Sequence, residues 1–181
     1  MSKAFTREDD AIDEPVLTRQ PTQLPDGVKN YITADGARRL REELDHLTQV
    51  ERPRIANELA TESLAESSAL ADARRQLQVL NQRIIALDQS LQSAEVIEPA
   101  SAPEDVVRFG ATVVVRDQNG EDTQYRIVGV DETDLDRNWV SWRSPISRAL
   151  LNSRVGQTVR FRFPAGEKEL KIVSVTYESI L

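Results

Sequence analysis

The feature that most constrains the fold of this 181-residue chain is a run of apolar residues with alternating spacings of three and four. The run comprises Leu77, Leu80, Ile84, Leu87 and Leu91. It is the heptad repeat of a coiled coil, whose apolar stripe needs a second helix to cover it. An earlier stripe consists of Leu40, Leu44, Leu47, Val50, Ile55 and Leu59. Because the two stripes are neighbours in the sequence, we expect them to pair as an antiparallel coiled-coil hairpin.

Local signals predict where the two helices begin and end. Thr33 is a good N-cap, and Asp35 lies in the first turn, where the helix dipole favours an anion. Pro53 should kink the first helix or leave one of its hydrogen bonds open. Because Ser63 and Glu66 fit a capping box, we place the turn at 60–63. The second helix should end near Glu95.

The far end of the predicted hairpin is acidic. Between Ile55 and Ala73 the sequence has no Lys or Arg, and its acids are Glu58, Glu62, Glu66 and Asp72. Unpaired carboxylates at a protruding point suit a cationic groove or a hard metal ion. A solvated, Glu-rich helical bend would have the same composition, so both interpretations stay open.

Other segments divide the chain into domains. Residues 1–30 contain three prolines and six acids without apolar periodicity, which predicts a disordered tail. The hairpin occupies 31–98, a Pro-containing linker 99–105, and a second domain 106–181.

The second domain has the pattern of a small antiparallel sheet with one short helix. Strands are predicted at 112–115, 125–130, 139–142, 159–163 and 170–177. Asn119-Gly120 should supply the positive φ angles of a hairpin turn after the first strand. Ser144 should cap a helix over 145–151, with Pro145 at its first position. The whole chain is therefore predicted to have an α+β fold.

Composition excludes several functions. The net charge of −7 argues against general nucleic-acid binding, which requires a basic surface. The chain has no cysteine and one histidine, His46, which leaves almost nothing for a zinc site or a serine triad. We read His46 as a surface residue. No apolar run approaches the roughly 18 residues of a membrane span, so we expect a cytoplasmic protein without membrane contact.

Motifs along the chain resemble those of the GreA/GreB family of transcript cleavage factors, more closely GreB. In the first half they are Tyr31-Ile32-Thr33-x-x-Gly36, Leu40-x-x-Glu43-Leu44-x-x-Leu47 and Glu51-Arg52-Pro53. In the second half they are Phe109-Gly110-Ala111, Tyr125-Arg126-Ile127-Val128-Gly129-x-Asp131-Glu132, Ser144-Pro145-Ile146-x-Arg148-Ala149-Leu150-Leu151, Val155-Gly156, Pro164-Ala165-Gly166-Glu167 and the stretch 172–177. Their shared order and spacing make the resemblance specific.

The resemblance implies a coiled coil followed by a domain of FKBP-like fold. Family members dock that domain at the rim of the secondary channel of bacterial RNA polymerase and insert the coiled coil toward the active site. Acidic tip residues then help the polymerase's own Mg²⁺ cleave backtracked RNA. The chain would be an accessory factor and not an enzyme, a monomer without a cofactor or metal of its own, in contact with the RNA 3′ end only through the polymerase.

At the tip the sequence departs from the family, which has Gly-Asp-x-x-Glu-Asn there. This chain has Thr61-Glu62-Ser63-Leu64-Ala65-Glu66, so Glu66 matches the family's Glu and the Asp and Asn have no counterpart. Glu62 and Glu66 are our candidates for assisting the metal, while Glu58 and Asp72 add negative potential.

Six residues of the second domain are candidates for docking to the polymerase. They are Asp131, Glu132, Trp142, Ser144, Pro145 and Ile146. Trp139 and Trp142 have opposite parity along a strand, so one should be buried and the other exposed for contact. The segment 131–136 has spaced acids but lacks the Gly and Glu of a calcium loop, which favours a polar connection.

Three other functions remain open. The chain could occupy the polymerase channel and regulate synthesis without supporting cleavage. An FKBP-like fold could instead be a prolyl isomerase or chaperone, although fold alone does not carry function. Finally, the coiled coil could serve self-association.

Overall fold

The structure is a computed structural model that describes Leu24 and residues 27–61, 68–98, 105–163 and 166–177. Most of the predicted tail, most of the linker and the predicted turn with its capping box lie outside these residues. Asn30, which was assigned to the tail, already belongs to the first strand, β1 (Asn30–Thr33).

The predicted hairpin is present. Helix α1 (Ala34–His46) begins as expected, because the Thr33 hydroxyl accepts a hydrogen bond of 2.9 Å from the Gly36 amide and Asp35 lies in the first turn. A π-helical segment (Leu47–Glu51) and helix α2 (Arg52–Thr61) continue it. Helix α3 (Ser68–Ser93) runs back alongside, so that Arg83 donates to Glu43 at 2.7 and 2.8 Å. His46 is exposed as predicted.

The π-helical segment corrects the predicted stripe of the first helix. The Arg52 amide bonds to the Leu47 carbonyl five residues back, and the next residue, Pro53, has no amide hydrogen to donate. The wider turn rotates the following residues relative to α3. Val50, inside this segment, is 51% exposed and does not join the seam, contrary to the prediction, whereas Ile55 after it is buried.

The tightest packing of the hairpin is at its base, next to the second domain. Ile32, Ala37, Leu40 and Leu87 are buried there, and Leu44, Leu47, Leu91 and Ala94 pack against them. Further out, Leu77 and Leu80 are only half-buried, because two helices alone cannot enclose a side chain. The seam of α3 thus faces α1 and α2 as its spacing predicted.

A parallel pair of strands closes the base, and the sequence patterns did not predict it. Strand β2 (Ala94–Ile97) follows α3 directly and pairs with β1, Asn30 opposite Ala94. Helix α3 therefore ends at Ser93, before the predicted Glu95. Parallel neighbours need a long crossover connection, and here the whole hairpin is that connection.

The second domain is a five-stranded sheet with one helix. Its strands are β3 (Thr112–Arg116), β4 (Asp122–Val128), β5 (Trp139–Ser141), β6 (Thr158–Phe163) and β7 (Gly166–Thr176), in the order β5-β4-β3-β7-β6. Neighbours are antiparallel as predicted except β4 and β5, which are parallel and correct the prediction of a wholly antiparallel sheet, because the long connection 129–138 brings β5 back in the same direction. Helix α4 (Pro145–Leu150) begins at the predicted cap, Ser144, and buries Ile146 and Leu150 in the core of this domain. The predicted α+β fold is confirmed.

The turn between β3 and β4 differs from the prediction in its backbone. Only Gly120 has a positive φ, 86°, and Asn119 does not. The Asp117 carboxylate instead accepts from the amides of Asn119, at 2.8 Å, and Glu121, at 3.0 Å. An Asp side chain that bonds two residues ahead stabilises a turn without a second positive φ.

Within the described ranges, no helix has the length and apolar character needed to cross a lipid bilayer.

Candidate functional site

The acidic end of the hairpin is the first part of the candidate site. Helix α2 is described up to Thr61 and α3 from Ser68, and Glu62 and Glu66 lie in the connection 62–67, outside the described residues. At 1.5 Å per residue, residues 34–61 extend about 40 Å from the base. Both candidate acids thus belong to the segment that joins the helices at the far end.

The two flanking acids are paired, which corrects the prediction that the whole cluster lacks basic partners. Glu58 accepts from Arg54 at 2.7 Å, one helical turn earlier. Asp72 lies 3.4 Å from Arg75, three residues later. Both arginines fall just outside the stretch 55–73. These surface pairs reduce the negative potential that Glu58 and Asp72 add.

Glu132 of the second domain bonds to the base of the hairpin. It ends a 3₁₀ turn (Val130–Glu132) after β4, and its side chain is completely buried. Its carboxylate accepts from the amides of Thr33 and Gly129, both at 2.9 Å, and from the Thr33 hydroxyl. Arg39 of α1 lies 3.7 Å away. The predicted docking role of Glu132 stays a prediction, but its carboxylate is fully engaged inside the protein.

Asp131 bonds to the other helix of the hairpin. Its carboxylate accepts from the Ser90 hydroxyl in the last turn of α3. Asn30 of β1 donates to the same serine, to its carbonyl at 3.1 Å and its hydroxyl at 3.3 Å. Partial burial raises the pKa of the Asp131 carboxyl, while the bond from Ser90 and the charge of Arg83 oppose that rise.

The remaining docking candidates differ in exposure. Pro145 is exposed, whereas Ser144 is buried with its hydroxyl accepting from the Ser147 amide at 3.1 Å. Ile146 is buried in the sheet core. A docking role for any of them stays a prediction, and Pro145 presents the most accessible surface of these three.

Neither tryptophan is exposed, which corrects the expectation that one of them would be. Trp139 is buried, and Trp142 is half-buried with its ring 5.3 Å from that of Tyr31 in β1. The Trp142 indole N–H is buried and has no hydrogen-bond acceptor among the described residues. The ring of Phe109 also lies near Tyr31, with the two ring centres 6.0 Å apart.

A group of charged residues around Trp139 was missed by sequence reasoning. Arg39 stacks on its ring at 4.4 Å from the hairpin side, and Arg126 at 5.2 Å from β4. Asp35 of α1 in turn pairs with Arg126 at 3.5 Å. Arg126 belongs to one of the family motifs, but nothing in the sequence shows that it pairs with Asp35 across the interface.

The acid-rich segment after Glu132 is a polar connection, as expected. Asp134 accepts from the amides of Asp136 at 3.1 Å and Arg137 at 3.3 Å, and it pairs with the Arg137 side chain at 3.5 Å. Its oxygens stabilise the loop itself. Over the part of the chain that the structure describes, no three acidic or histidine side chains converge as metal ligands would.

Comparison with known proteins identifies both halves of the chain. Residues 30–96 match the family described as the N-terminal domain of transcription elongation factors, and residues 102–177 match "Transcription elongation factor, GreA/GreB, C-term". The resemblance carried by the sequence motifs is thereby confirmed over nearly all of the two predicted domains.

Individual relatives come from both branches of the family. The chain is 41% identical to a GreA of Alkalilimnicola ehrlichii, covering 81% of this chain and 96% of that protein. It is 38% identical to a GreB of Xanthomonas axonopodis (82% and 92% covered) and 37% identical to a GreB of Pseudomonas aeruginosa (81% and 89%). These similar identities do not single out GreB, which the motifs had favoured.

Solved structures similar to this chain include Gfh1, a GreA factor homologue of Thermus thermophilus. The sequences are 26% identical, with 82% of this chain and 99% of that one covered, and the TM-score is 0.37. A GreA/GreB factor from Nitrosomonas europaea is 24% identical, with 82% and 100% covered and a TM-score of 0.39. On the sequence matches to both of its domains and to these relatives, the chain belongs to the GreA/GreB family of transcription elongation factors.

Proposed function

We propose that the protein binds bacterial RNA polymerase in the cytoplasm, with the hairpin in the secondary channel and the sheet domain at its rim. Members of this family are accessory transcription elongation factors and not enzymes themselves. The rod of α1, α2 and α3 supports the proposal, because it is only two helices wide and about 40 Å long. Such a rod can reach a site inside another protein that a compact domain cannot enter.

We further propose that Glu62 and Glu66 assist Mg²⁺ at the polymerase active site in cleaving backtracked RNA. Hard divalent cations prefer carboxylate oxygens, and two-metal hydrolysis needs a second ion held close to the first. The observation that carries this proposal is the charge pattern of the hairpin end. Arg75 pairs with Asp72, and Arg54 pairs with Glu58 as well as with Glu51. By contrast, the nearest basic residues to Glu62 and Glu66 are eight positions away, beyond the reach of a helical i,i+4 pair.

A transcript-cleavage assay on stalled elongation complexes tests the proposal. The double change Glu62→Ala and Glu66→Ala should reduce stimulated cleavage about a hundredfold, the loss that misplacement of a reacting group can cause. Polymerase binding should remain. The matched control is Glu58→Ala with Asp72→Ala, which removes two charges nearby and should retain most of the activity.

Two results would contradict the cleavage proposal: wild-type protein that stimulates no cleavage, or a Glu62/Glu66 double variant as active as wild type. The first result would favour the alternative, a factor that occupies the channel and regulates synthesis without cleavage. The absence of the family's Gly-Asp-x-x-Glu-Asn tip gives that alternative its support. It predicts slower RNA synthesis and no shortened transcripts in the same reactions.

A further inference from the structure

Two adjacent carboxylates of the sheet domain bond to the base of the hairpin, one to each of its two helical arms. Glu132 accepts from the backbone and side chain of Thr33, where α1 begins. Asp131 accepts from Ser90, in the last turn of α3. The two residues lie in one 3₁₀ turn, so a single short segment of the second domain contacts the base of both helices. We call this pair of contacts the base clamp.

The contact between Glu132 and Thr33 also holds the N-cap of α1 in place. The Thr33 hydroxyl donates to Glu132 and accepts from the Gly36 amide, so the carboxylate orients the group that caps α1. The positive end of the α1 dipole faces the same anion, which strengthens the contact. Arg39, one turn further along α1, adds its charge at 3.7 Å.

The chain approaches Glu132 so closely that only glycine fits at two positions. A Cβ on Gly36 would lie 1.9 Å from the Glu132 carboxylate, and a Cβ on Gly129 would lie 2.8 Å from that carboxylate and 2.4 Å from the Tyr31 carbonyl. Gly36 belongs to the hairpin and Gly129 to the sheet domain. Both domains are therefore shaped around this one side chain.

Charges beside the clamp hold the same interface. Asp35 and Arg39 come from the hairpin, and Arg126 comes from the sheet domain with Glu132. Asp35 pairs with Arg126 and Glu132 with Arg39, and both arginines stack on Trp139. Buried charges are tolerated when they are paired in this way.

We propose that Asp131 and Glu132 are positioning residues that set the direction of the hairpin relative to the sheet domain. A rod held at one helix can pivot about that attachment, whereas attachments at both helices resist rotation. The direction matters because of leverage: at about 40 Å from the base, a rotation of about 1.5° moves the end by about 1 Å. Catalytic groups lose activity when displaced by about that distance. The consequence for cleavage rests on the proposed function, but the orientation itself does not.

Pulsed electron spin resonance between two nitroxide labels measures the orientation directly. The chain has no cysteine, so labels can be placed by Val79→Cys in α3 and Lys168→Cys in β7, both exposed. Val79 lies about 21 Å along α3 from its end, so a 10° reorientation moves that label by about 4 Å. A second label pair, Ala56→Cys in α2 with Lys168→Cys, distinguishes a tilt of the hairpin from a rotation of the hairpin about its long axis.

Wild-type protein should give one narrow distance distribution for each label pair. Glu132→Gln and Ser90→Ala should shift or broaden it by several ångströms, and Thr33→Val should do the same while Thr33→Ser restores the wild-type distance. The matched control is Glu43→Gln, which removes a carboxylate that pairs with Arg83 inside the hairpin. It should leave the distances unchanged.

Unchanged distances in Ser90→Ala and in Glu132→Gln, with helix content retained, would overturn the proposal. Ser90→Ala removes only a hydroxyl, so it decides the question if Glu132→Gln fails to fold. On elongation complexes Ser90→Ala and Thr33→Val, which change no docking candidate, should bind polymerase as wild type does and cleave at least about tenfold less. Absence of cleavage by wild type would refute the proposed function. The distance measurement would still test the orientation of the hairpin, because it does not depend on cleavage.

Discussion

Replacing Gly36 with alanine sets two opposing effects against each other. In a helix, alanine is more stable than glycine by up to about 1 kcal/mol. At this position, however, the new Cβ would lie 1.9 Å from Oε1 and 2.2 Å from Cδ of Glu132. The Glu132 side chain is enclosed and must withdraw by more than 1 Å.

The structure indicates which effect is larger. Withdrawal breaks the bonds that Glu132 accepts from the amides of Thr33 and Gly129. Hydrogen bonds to charged groups contribute about 1.5–3 kcal/mol each, so their loss outweighs the gain from helix propensity. We expect Gly36→Ala to lower the free energy of unfolding by about 2–5 kcal/mol.

Urea unfolding followed by two probes measures this change. Tryptophan fluorescence reports on the interface, since Trp139 stacks with Arg39 and Trp142 contacts Tyr31, and far-UV circular dichroism reports on the helices. The control is Gly36→Ala in a Glu132→Ala background, where no side-chain atom remains beyond Cβ and the alanine should be neutral or stabilising. A single Gly36→Ala variant as stable as wild type would refute the reasoning.

Three further predictions concern packing, backbone approach and titration. Leu87→Ala, at the buried base of the hairpin, should lower the free energy of unfolding by about 2–5 kcal/mol. Val79→Ala, at an exposed position of the same helix, should change it by less than about 0.5 kcal/mol. Thermal unfolding of the two variants compares these effects. Gly129→Ala should destabilise even in the Glu132→Ala background, because its Cβ would meet the Tyr31 carbonyl, and recovery there would contradict this. The hydrogen bond from Arg116 lowers the pKa of the Asp122 carboxyl. The stability that this pair contributes is therefore fully present above the ordinary pKa of an aspartate and is lost as the pH falls through the lowered pKa of Asp122. Arg116→Gln should raise the pKa of Asp122 toward its ordinary value in an NMR titration, and no change would show that the pair is not formed in solution.

The candidate site was predictable only in part. The acids of the hairpin end were found from the sequence, but the pairing of Glu58 and Asp72 was missed because Arg54 and Arg75 stand just outside the stretch. The burial of the Glu132 side chain against Thr33 was not predicted, and its docking role stays a prediction. A charged residue in a polar segment gives no local sign that it will be enclosed.

The elements that could be predicted from the sequence are those whose signals are local. The spacing of the α3 seam, the cap at Thr33, and the Ser144-Pro145 start of α4 each depend on residues within a few positions of one another. Neighbouring residues fix such features because helix periodicity and capping are properties of a single turn.

How the two domains meet could be learned only from the folded structure. Glu132 and Thr33 are 99 residues apart, and β1 finds β2 only after the whole hairpin has returned to the base. No periodicity or capping signal spans that distance. A buried carboxylate needs hydrogen-bond donors, and those of Glu132 come from Thr33 in one domain and Gly129 in the other, so the contact forms only when the domains meet.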